Sequence, residues 1–520
     1  MTNDAHARLR DDWRLAAPLI DGITPEVAET LAVTNPATGD EIGRVALADV
    51  RRADDAVAAA RRAFPAWRDM PTAERGAIVL AAVEAVEAMA DEVAALISLE
   101  VGKVLHEAQG DIRGALAMVR GMVQLVAELE AGEDRTGLPG TGQASFVRLR
   151  HVPVGPVAVI GPWNTPVFLT FNAIAPALAA GATLVVKPAV EAPLALTATL
   201  RAMAAHLPPG VINIVPGRGS IVGQRLAEHP DVRALSFTGS TGTGRRIAAA
   251  AAGNIKKIAL ELGGNDPAIV LGSAEITDSL VTELVAGCYS MTGQICFNIK
   301  RIYVHHSRHD ELVEKFSAAA SRIVVGDAFD PTAHIGPLTT REGYQNALRL
   351  LAEARAAGAV VHELGIRADS ADWSAGYYVA PTVVTGIPTD HELVLDEQFA
   401  PIIPIVPFDT DDEAIVEANR TDFGLASSVW SQNLAHAEAV ARRIEAGNTF
   451  INAHRLGASV PLVPFGGVKQ SGLGRTHLLY SLEHVTDEHG IVGFSSPAAQ
   501  LPGITRWQNV LAAPTAKENV

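Results

Sequence analysis

Cysteine is almost missing from this chain: 520 residues carry only Cys288 and Cys296. Two thiols cannot staple a chain of this length, so a disulfide scaffold is excluded and a reducing, cytoplasmic setting is expected. Basic charge is also short. Lys and Arg number 42 against 58 Asp and Glu, a net charge of -16. That balance argues against nucleic acid as a partner, because phosphate binding needs a basic surface. The opening MTNDAHARLRDDWR is charged and lacks the apolar stretch of a secretory signal. His305-His306 and the other histidines lack the spacing of metal ligands, so no metal is expected. Internal repeats and low-complexity tracts are absent too.

What is present is an Ala-rich globular composition, 48% apolar and 19% charged. At this length two or more domains are the natural expectation. One run, Val152 to Val186, carries no charge and is long enough to span a bilayer. Pro153, Pro156, Pro162, Pro166, Pro176 and Gly181 cut it into shorter pieces, so it reads as strand, loop, helix and strand, with no membrane partner.

The first 130 residues are helical in pattern, with amphipathic stretches at Arg51–Phe64, Thr72–Leu96 and His106–Glu130. Thr34 to Gly39 forms a turn between short extended segments. From residue 151 apolar β-rich runs at Val157–Ile160, Thr183–Val186, Val211–Val215, Ala234–Phe237 and Ile258–Leu262 alternate with helical patterns. Such runs indicate a parallel sheet covered on both faces. Ligands bind such sheets outside the carboxyl ends of the strands, where Asn164, Lys187, Gly217, Gly239 and Glu261 fall. A second alternating region has strands near Ala268–Leu271, Arg301–Val304, Ile402–Val406, Ser427–Trp430 and Thr449–Ile451. The expected fold class is therefore α/β, two units with a ligand cleft between them. Phe146–Val152 and Gly490–Ser495 read as exposed strands, and uncovered strand edges favour an oligomer.

Several residues in this frame have chemistry to offer. Gly217-Arg218-Gly219 follows a strand, but the G-x-G-x-x-G spacing fails. The turn from Phe237 to Gly244 opens a helix, so its amides and the Ser240 hydroxyl fit either a phosphate site or a tight structural turn. Cys288 reads as a buried small hydrophobe. Cys296 follows a Gly-Gln pair that admits a ligand, and is either another buried thiol or a nucleophile. Glu261 interrupts an apolar strand before Gly263-Gly264; it is either a solvated strand end or a buried carboxyl whose pKa rises toward that of a general base. Asn164 is a turn residue or an amide donor to an oxyanion.

Together these pieces resemble the aldehyde dehydrogenase superfamily. The resemblance runs from about Thr34 to about Gly474 and rests on Glu100-Val101-Gly102-Lys103, Pro162-Trp163-Asn164-Thr165-Pro166, Lys187-Pro188-Ala189 and Phe237-Thr238-Gly239-Ser240. It continues in Leu260-Glu261-Leu262-Gly263-Gly264, Gly293-Gln294-Ile295-Cys296, Asp396-Glu397-Gln398-Phe399-Ala400-Pro401 and Pro464-Phe465-Gly466-Gly467. It implies an NAD- or NADP-dependent oxidation of an aldehyde to an acid. Cys296 would attack the aldehyde, Asn164 and the Cys296 N–H would hold the oxyanion, and Glu261 would activate the water that releases the acid. Trp163, Lys187, Gly219, Gly239 and Ser240 would contact the dinucleotide, and Glu397 and Phe399 the nicotinamide ribose and ring. Thr165, Leu169 and Asn172 would face the substrate. Apart from the resemblance, Arg455 in the loop before Pro464 reads either as a guanidinium for a substrate carboxylate or as a subunit contact or solvated loop residue.

The resemblance also implies a Rossmann-like cofactor domain (1–130 and 151–262), an α/β catalytic domain (263–463) and a small β oligomerisation arm (131–150 and 480–500). A C-terminal extension, 501–520, follows. The expected assembly is a homodimer or homotetramer. The sequence departs from the family in three places. Val190 replaces the glutamate of Lys-Pro-x-Glu that favours NAD, with Glu191 next to it, so NADP tolerance is expected with Lys187 and Arg218 near the phosphate. Ala400 replaces a glycine, and Thr476 replaces a glutamate that relays protons in some relatives. Two other readings remain open: a CoA-acylating semialdehyde dehydrogenase, disfavoured by Glu261, and a catalytically idle member of the same fold.

Overall fold

A computed structural model describes residues 9–129, 132–139, 141, 144–458 and 460–495. The extension 501–520 and parts of both expected arm segments lie outside the described residues.

The run of charge-free sequence is the centre of the first sheet. Its strands, in spatial order, are Gly472–Leu473, Lys257–Glu261, Ala234–Thr238, Pro156–Ile160, Thr183–Lys187 and Ile212–Ile214. The five that follow one another in sequence are parallel. Pro156–Ile160 and Thr183–Lys187 are buried at every position, as a sheet covered on both faces requires. The chain moves outward from Pro156–Ile160 in one direction, then returns to Ala234–Thr238 on the other side. Between those two strands lies the switch point where a doubly wound sheet opens a crevice. Helix Phe168–Ala180 is buried on nearly every face, and no helix among the described residues is long and apolar enough to cross a membrane.

The N-terminal helices pack on this sheet, sharing one apolar core with it from Val79 through Met122 to Ile214. The expected helix Thr72–Leu96 is two helices, Thr72–Glu87 and Ala90–Val101, broken at Ala88 and Met89. The small antiparallel pair Thr30–Thr34 and Glu41–Ala46 flanks the expected turn.

The second sheet has the order Val360–Glu363, Thr382–Thr385, Ile402–Phe408, Ile299–His305, Asp266–Val270, Ala426–Trp430 and Asn448–Ile451. All neighbours are parallel except the first pair. A third sheet joins distant parts of the chain: Phe146–Pro153 pairs antiparallel with Thr486–Gly493 and with Glu133–Asp134. This strand extends past the boundary expected at 150, because its register with Thr486–Gly493 is unbroken to Pro153. Gly472–Leu473, expected in no domain, completes the first sheet beside Glu261.

Candidate active site

Outside the carboxyl ends of the first sheet lies a cavity of about 500 Å³. From the first unit its wall receives Trp163, Asn164 and Leu169 after the central strand, Lys187 after the next, and Gly219, Gly239, Ser240 and Glu261. Cys296, Glu397 and Phe399 close it from the second unit.

The Cys296 loop begins where helix Asp278–Tyr289 ends. Met291, Thr292 and Gly293 then take successive left-handed conformations, with φ of 52°, 58° and 76°. For a β-branched threonine that is a costly state, on the order of 1–3 kcal/mol, kept only where surrounding contacts hold it. Here the Thr292 hydroxyl donates to Gly336 O at 3.1 Å, and the Gln294 side chain accepts from Thr339 N at 3.0 Å. The Asn164 amide donates to Gln294 O at 2.8 Å, which ties the Asn164 turn to the Cys296 loop.

Cys296 is half-buried and packs against an apolar cluster of Met291, Ile295, Phe297, Leu425 and Phe465. Burial raises its pKa, the carboxylates of Glu397, Glu261 and Asp266 add to the rise, and Lys300 opposes it. Its resting form is the thiol. Lys300 was not singled out from the sequence. It is 1% exposed, donates to the carbonyls of Ile295 and, at 3.5 Å, Gly293, and places its ammonium 5.3 Å from the Phe399 ring centre. The one available signal was a lysine at the start of the buried strand Ile299–His305.

Glu261 ends its strand half-buried in the cavity wall, and its Oε2 has no hydrogen-bond partner. Burial pushes its carboxyl up to about 8, against the pull of Arg475. Gly466 makes room for it: φ there is +150°, and a Cβ would stand 2.9 Å from Glu261 Oε1. Thr476, buried, donates its hydroxyl to Phe465 O and offers no acid near Glu261. Glu397 accepts from Gly264 N at 3.1 Å, and burial pushes it up to about 7 while Lys300 opposes the rise. A Cβ on Gly263 would meet its Oε2 at 2.5 Å.

The rest of the lining suits a dinucleotide. Trp163 meets Phe399 edge-on at 5.5 Å, giving an apolar face. Lys187 is buried, held to Pro188 O at 2.9 Å, and lowered to about 8 by desolvation, with Glu191 working against the drop. Ser240 caps helix Thr241–Ala251, so the positive end of that helix opens on the cavity. Gly219 begins a π-helical turn, Gly219–Gly223, rather than a regular helix. Apolar wall, buried cation, helix N-terminus and a carboxylate at the far end fit a nicotinamide dinucleotide.

Val190 and Glu191 both line this wall, so a carboxylate is still present, one residue along from the family position. Arg246, which sequence reasoning passed over, also lines it and donates to Thr243 Oγ1 at 2.9 Å. Arg218 does not; it is exposed and paired with Glu29 at 3.0 Å. Of the expected substrate residues, Leu169 lines the cavity, while Thr165 contacts Met291 Sδ at 3.8 Å and Asn172 is half-buried on its helix. Arg455 lies outside the lining, and both carboxylate oxygens of Glu283 hold its Nε at 2.8 and 3.1 Å. A loop arginine so engaged is a structural partner of helix Asp278–Tyr289. Among the described residues no group of three His, Cys, Asp or Glu is placed to hold a metal.

A doubly wound sheet facing a second α/β unit, with a thiol and a raised carboxyl across a dinucleotide-sized crevice, defines a nucleotide-dependent oxidoreductase. The sequence profile described as "Aldehyde dehydrogenase family" matches residues 23–490. Phenylacetaldehyde dehydrogenase of Pseudomonas fluorescens is 35% identical, over 93% of this chain and 97% of its own length. Succinate-semialdehyde dehydrogenase [NADP(+)] of Escherichia coli is 35% identical, over 88% and 92%. Among solved structures, betaine aldehyde dehydrogenase from Staphylococcus aureus in complex with NAD+ superposes with a TM-score of 0.88 at 31% identity, covering 96% of this chain and 99% of that one. A putative aldehyde dehydrogenase from Burkholderia cenocepacia gives 0.86 at 36% identity, covering 93% and 99%. The chain belongs to the aldehyde dehydrogenase family. It is an oxidoreductase that oxidises an aldehyde with NAD or NADP.

Proposed function

We propose that Cys296 is the nucleophile, Glu261 the general base and Asn164 an oxyanion donor. The observation that carries this reading is that three residues remote in sequence open onto one cavity. Cys288 is fully buried in an apolar cluster and has no access to a substrate. The unpartnered Oε2 of Glu261 takes the Cys296 proton, and the thiolate sulfur bonds to the aldehyde carbon. The charge that develops on oxygen is met by the Asn164 amide and the Cys296 N–H. Bound NAD or NADP supplies the two-electron acceptor for the C–H bond of that adduct. Glu261, once it has released that first proton to solvent, takes a proton from water, whose oxygen bonds to the thioester carbon as the C–S bond breaks and the acid leaves. With Thr476 offering no acid, that release is proposed to run through water in the cavity that Glu261 lines.

Trp163, Lys187, Gly219, Gly239 and Ser240 would hold the adenosine and phosphate half of the cofactor, and Glu397 and Phe399 the nicotinamide riboside. With Val190 in place of a glutamate and Arg246 on the same wall, the enzyme is proposed to use both NAD and NADP. The apolar cluster on which Cys296 packs, Phe297 and Phe465 among it, favours an uncharged, apolar aldehyde. The domains are proposed as 1–130 with 154–262 and the late strand Gly472–Leu473, and 263–463. The arm of 131–153 and 480–500 joins copies into a homodimer or homotetramer: it exposes Phe146, Val492 and Phe494. Two unpaired thiols favour the cytoplasm.

The test is a panel of phenylacetaldehyde, propanal, aminoacetaldehyde, betaine aldehyde and succinate semialdehyde with each cofactor. Peptide mass mapping of the wild-type enzyme, acid-quenched during turnover, follows. The expected result is an acyl group on the peptide bearing Cys296; acylation elsewhere, or none, overturns the assignment.

A further inference from the structure

One helix reaches both halves of the site. Helix Leu105–Leu129 carries Glu107 and Asp111, one turn apart and on the same face. Glu107 Oε1 accepts from Met291 N at 2.8 Å, at the first of the left-handed residues that lead to Cys296. Asp111 Oδ1 accepts from Phe168 N at 2.5 Å, at the start of the helix that follows the Asn164 turn. The second oxygen of Asp111 accepts from Lys103 Nζ at 2.9 Å, and both side chains of that pair are 1% exposed. Neither carboxylate is among the residues lining the cavity, so neither can serve in binding there.

We propose that Glu107 and Asp111 form a two-pronged clamp, a pair of positioning residues that sets the distance between the Asn164 amide and the Cys296 loop. This rests on the roles proposed above for Cys296 and Asn164. The physical case has three parts. First, Met291 and Thr292 hold a conformation the backbone does not favour, so the loop needs an anchor where the strain begins. A carboxylate accepting a backbone N–H is a strong anchor, more so with little water around it. Second, the amide of Phe168 is one of the donors a helix N-terminus leaves without an internal partner. Asp111 supplies that partner from outside the helix, and Lys103 fixes the carboxylate that does so. Third, the two anchors share a rigid helix, so the loop and the turn cannot drift independently. Catalysis by an oxyanion site depends on donors held within a fraction of an ångström.

The clamp is read by comparing variants that keep the acceptor with variants that remove it. Glu107→Gln and Asp111→Asn retain an oxygen for Met291 N–H and Phe168 N–H; Glu107→Met and Asp111→Leu do not. With the best aldehyde of the panel, Glu107→Met and Asp111→Leu are expected to lower kcat by about 10- to 100-fold, the scale of a misplaced reacting group. The dissociation constant for the cofactor, followed by fluorescence, should stay within about twofold of wild type, since the cofactor lining is untouched. Glu107→Gln and Asp111→Asn should recover most of the rate. The proposal is overturned if Glu107→Met and Asp111→Leu keep full kcat, if the amide variants are as impaired as the apolar ones, or if the loss tracks cofactor affinity. Failure of both apolar variants to fold, while the amide variants fold at wild-type rates, marks the cluster as structural alone and also overturns it. Cys296→Ala separates the two levels: turnover in that variant sinks the nucleophile assignment itself, whereas an inactive Cys296→Ala beside a fully active Glu107→Met sinks only the clamp.

Discussion

The two cysteines of this chain sit on either side of one turn and live in different physical worlds. Cys288 ends a regular helix inside the apolar core of the second unit, among Ile299, Tyr289 and Phe316, where burial alone raises its pKa. Cys296 lies beyond three left-handed residues, half-exposed to a crevice, with a buried lysine and carboxyls acting on it. Burial disfavours the thiolate at both and Lys300 opposes that at both, but only Cys296 lines the cavity. What separates the two thiols is the loop that carries Cys296 to the crevice.

The contrast is sharpest in activity. Cys296→Ala is expected to cut kcat by about 10⁴-fold or more, the loss usual for removing a nucleophile; a variant retaining appreciable turnover would break the comparison. Next in size, Glu261→Gln should lose about 10²–10³-fold, the range of general base catalysis. The wild-type rate should rise with pH through about 8, and that rise should vanish in the variant. The sign also carries to stability. The carboxyl is raised in the folded state, so its contribution is complete below the unfolded pKa and is lost as pH rises through about 8. Thermal scans should therefore show Glu261→Gln gaining on wild type at pH 9 and not at pH 4.

Lys300→Met tests how far the buried cation eases deprotonation of Cys296, the thiol that lines the cavity. Iodoacetamide labelling of Cys296 should require higher pH and proceed several-fold more slowly, because the opposing cation is gone. An unchanged labelling profile would leave Lys300 a mere packing residue. Cys288→Ser should alter kcat less than about twofold while costing ~1–3 kcal/mol for a hydroxyl buried without a sure partner, seen as a lower melting temperature. Smallest of all, Arg455→Ala breaks an exposed pair with Glu283 worth under about 1 kcal/mol. Equal KM values for neutral and carboxylated aldehydes would retire it from the substrate site.

Much of this contrast was readable in the sequence. The apolar runs around Val157, Val185 and Phe237 could only be covered parallel strands, and their ends carry the residues now gathered in the crevice. What escaped was whatever depends on contacts between distant segments. Lys300 stands beside Arg301 in a short strand, and nothing local says that carbonyls will receive its ammonium. Arg246 reaches the crevice through the phase of its helix. Arg455 meets Glu283 only once the loop is folded against helix Asp278–Tyr289. The break at Ala88 and Met89 is invisible because Ala-rich periodicity runs through it. Thr382–Thr385 and Val360–Glu363 are too short for alternation to declare them.

The pairing of Gly472–Leu473 with the Glu261 strand has a consequence for biosynthesis. During translation the Glu261 strand leaves the ribosome with one edge open, and its neighbour emerges only after the whole second unit. A nascent chain can therefore complete the parallel part of the cofactor sheet early but not seal it. Until the late strand docks, that edge is a site for wrong pairing, and a ribosome stalled short of Gly472 displays an unfinished crevice to chaperones.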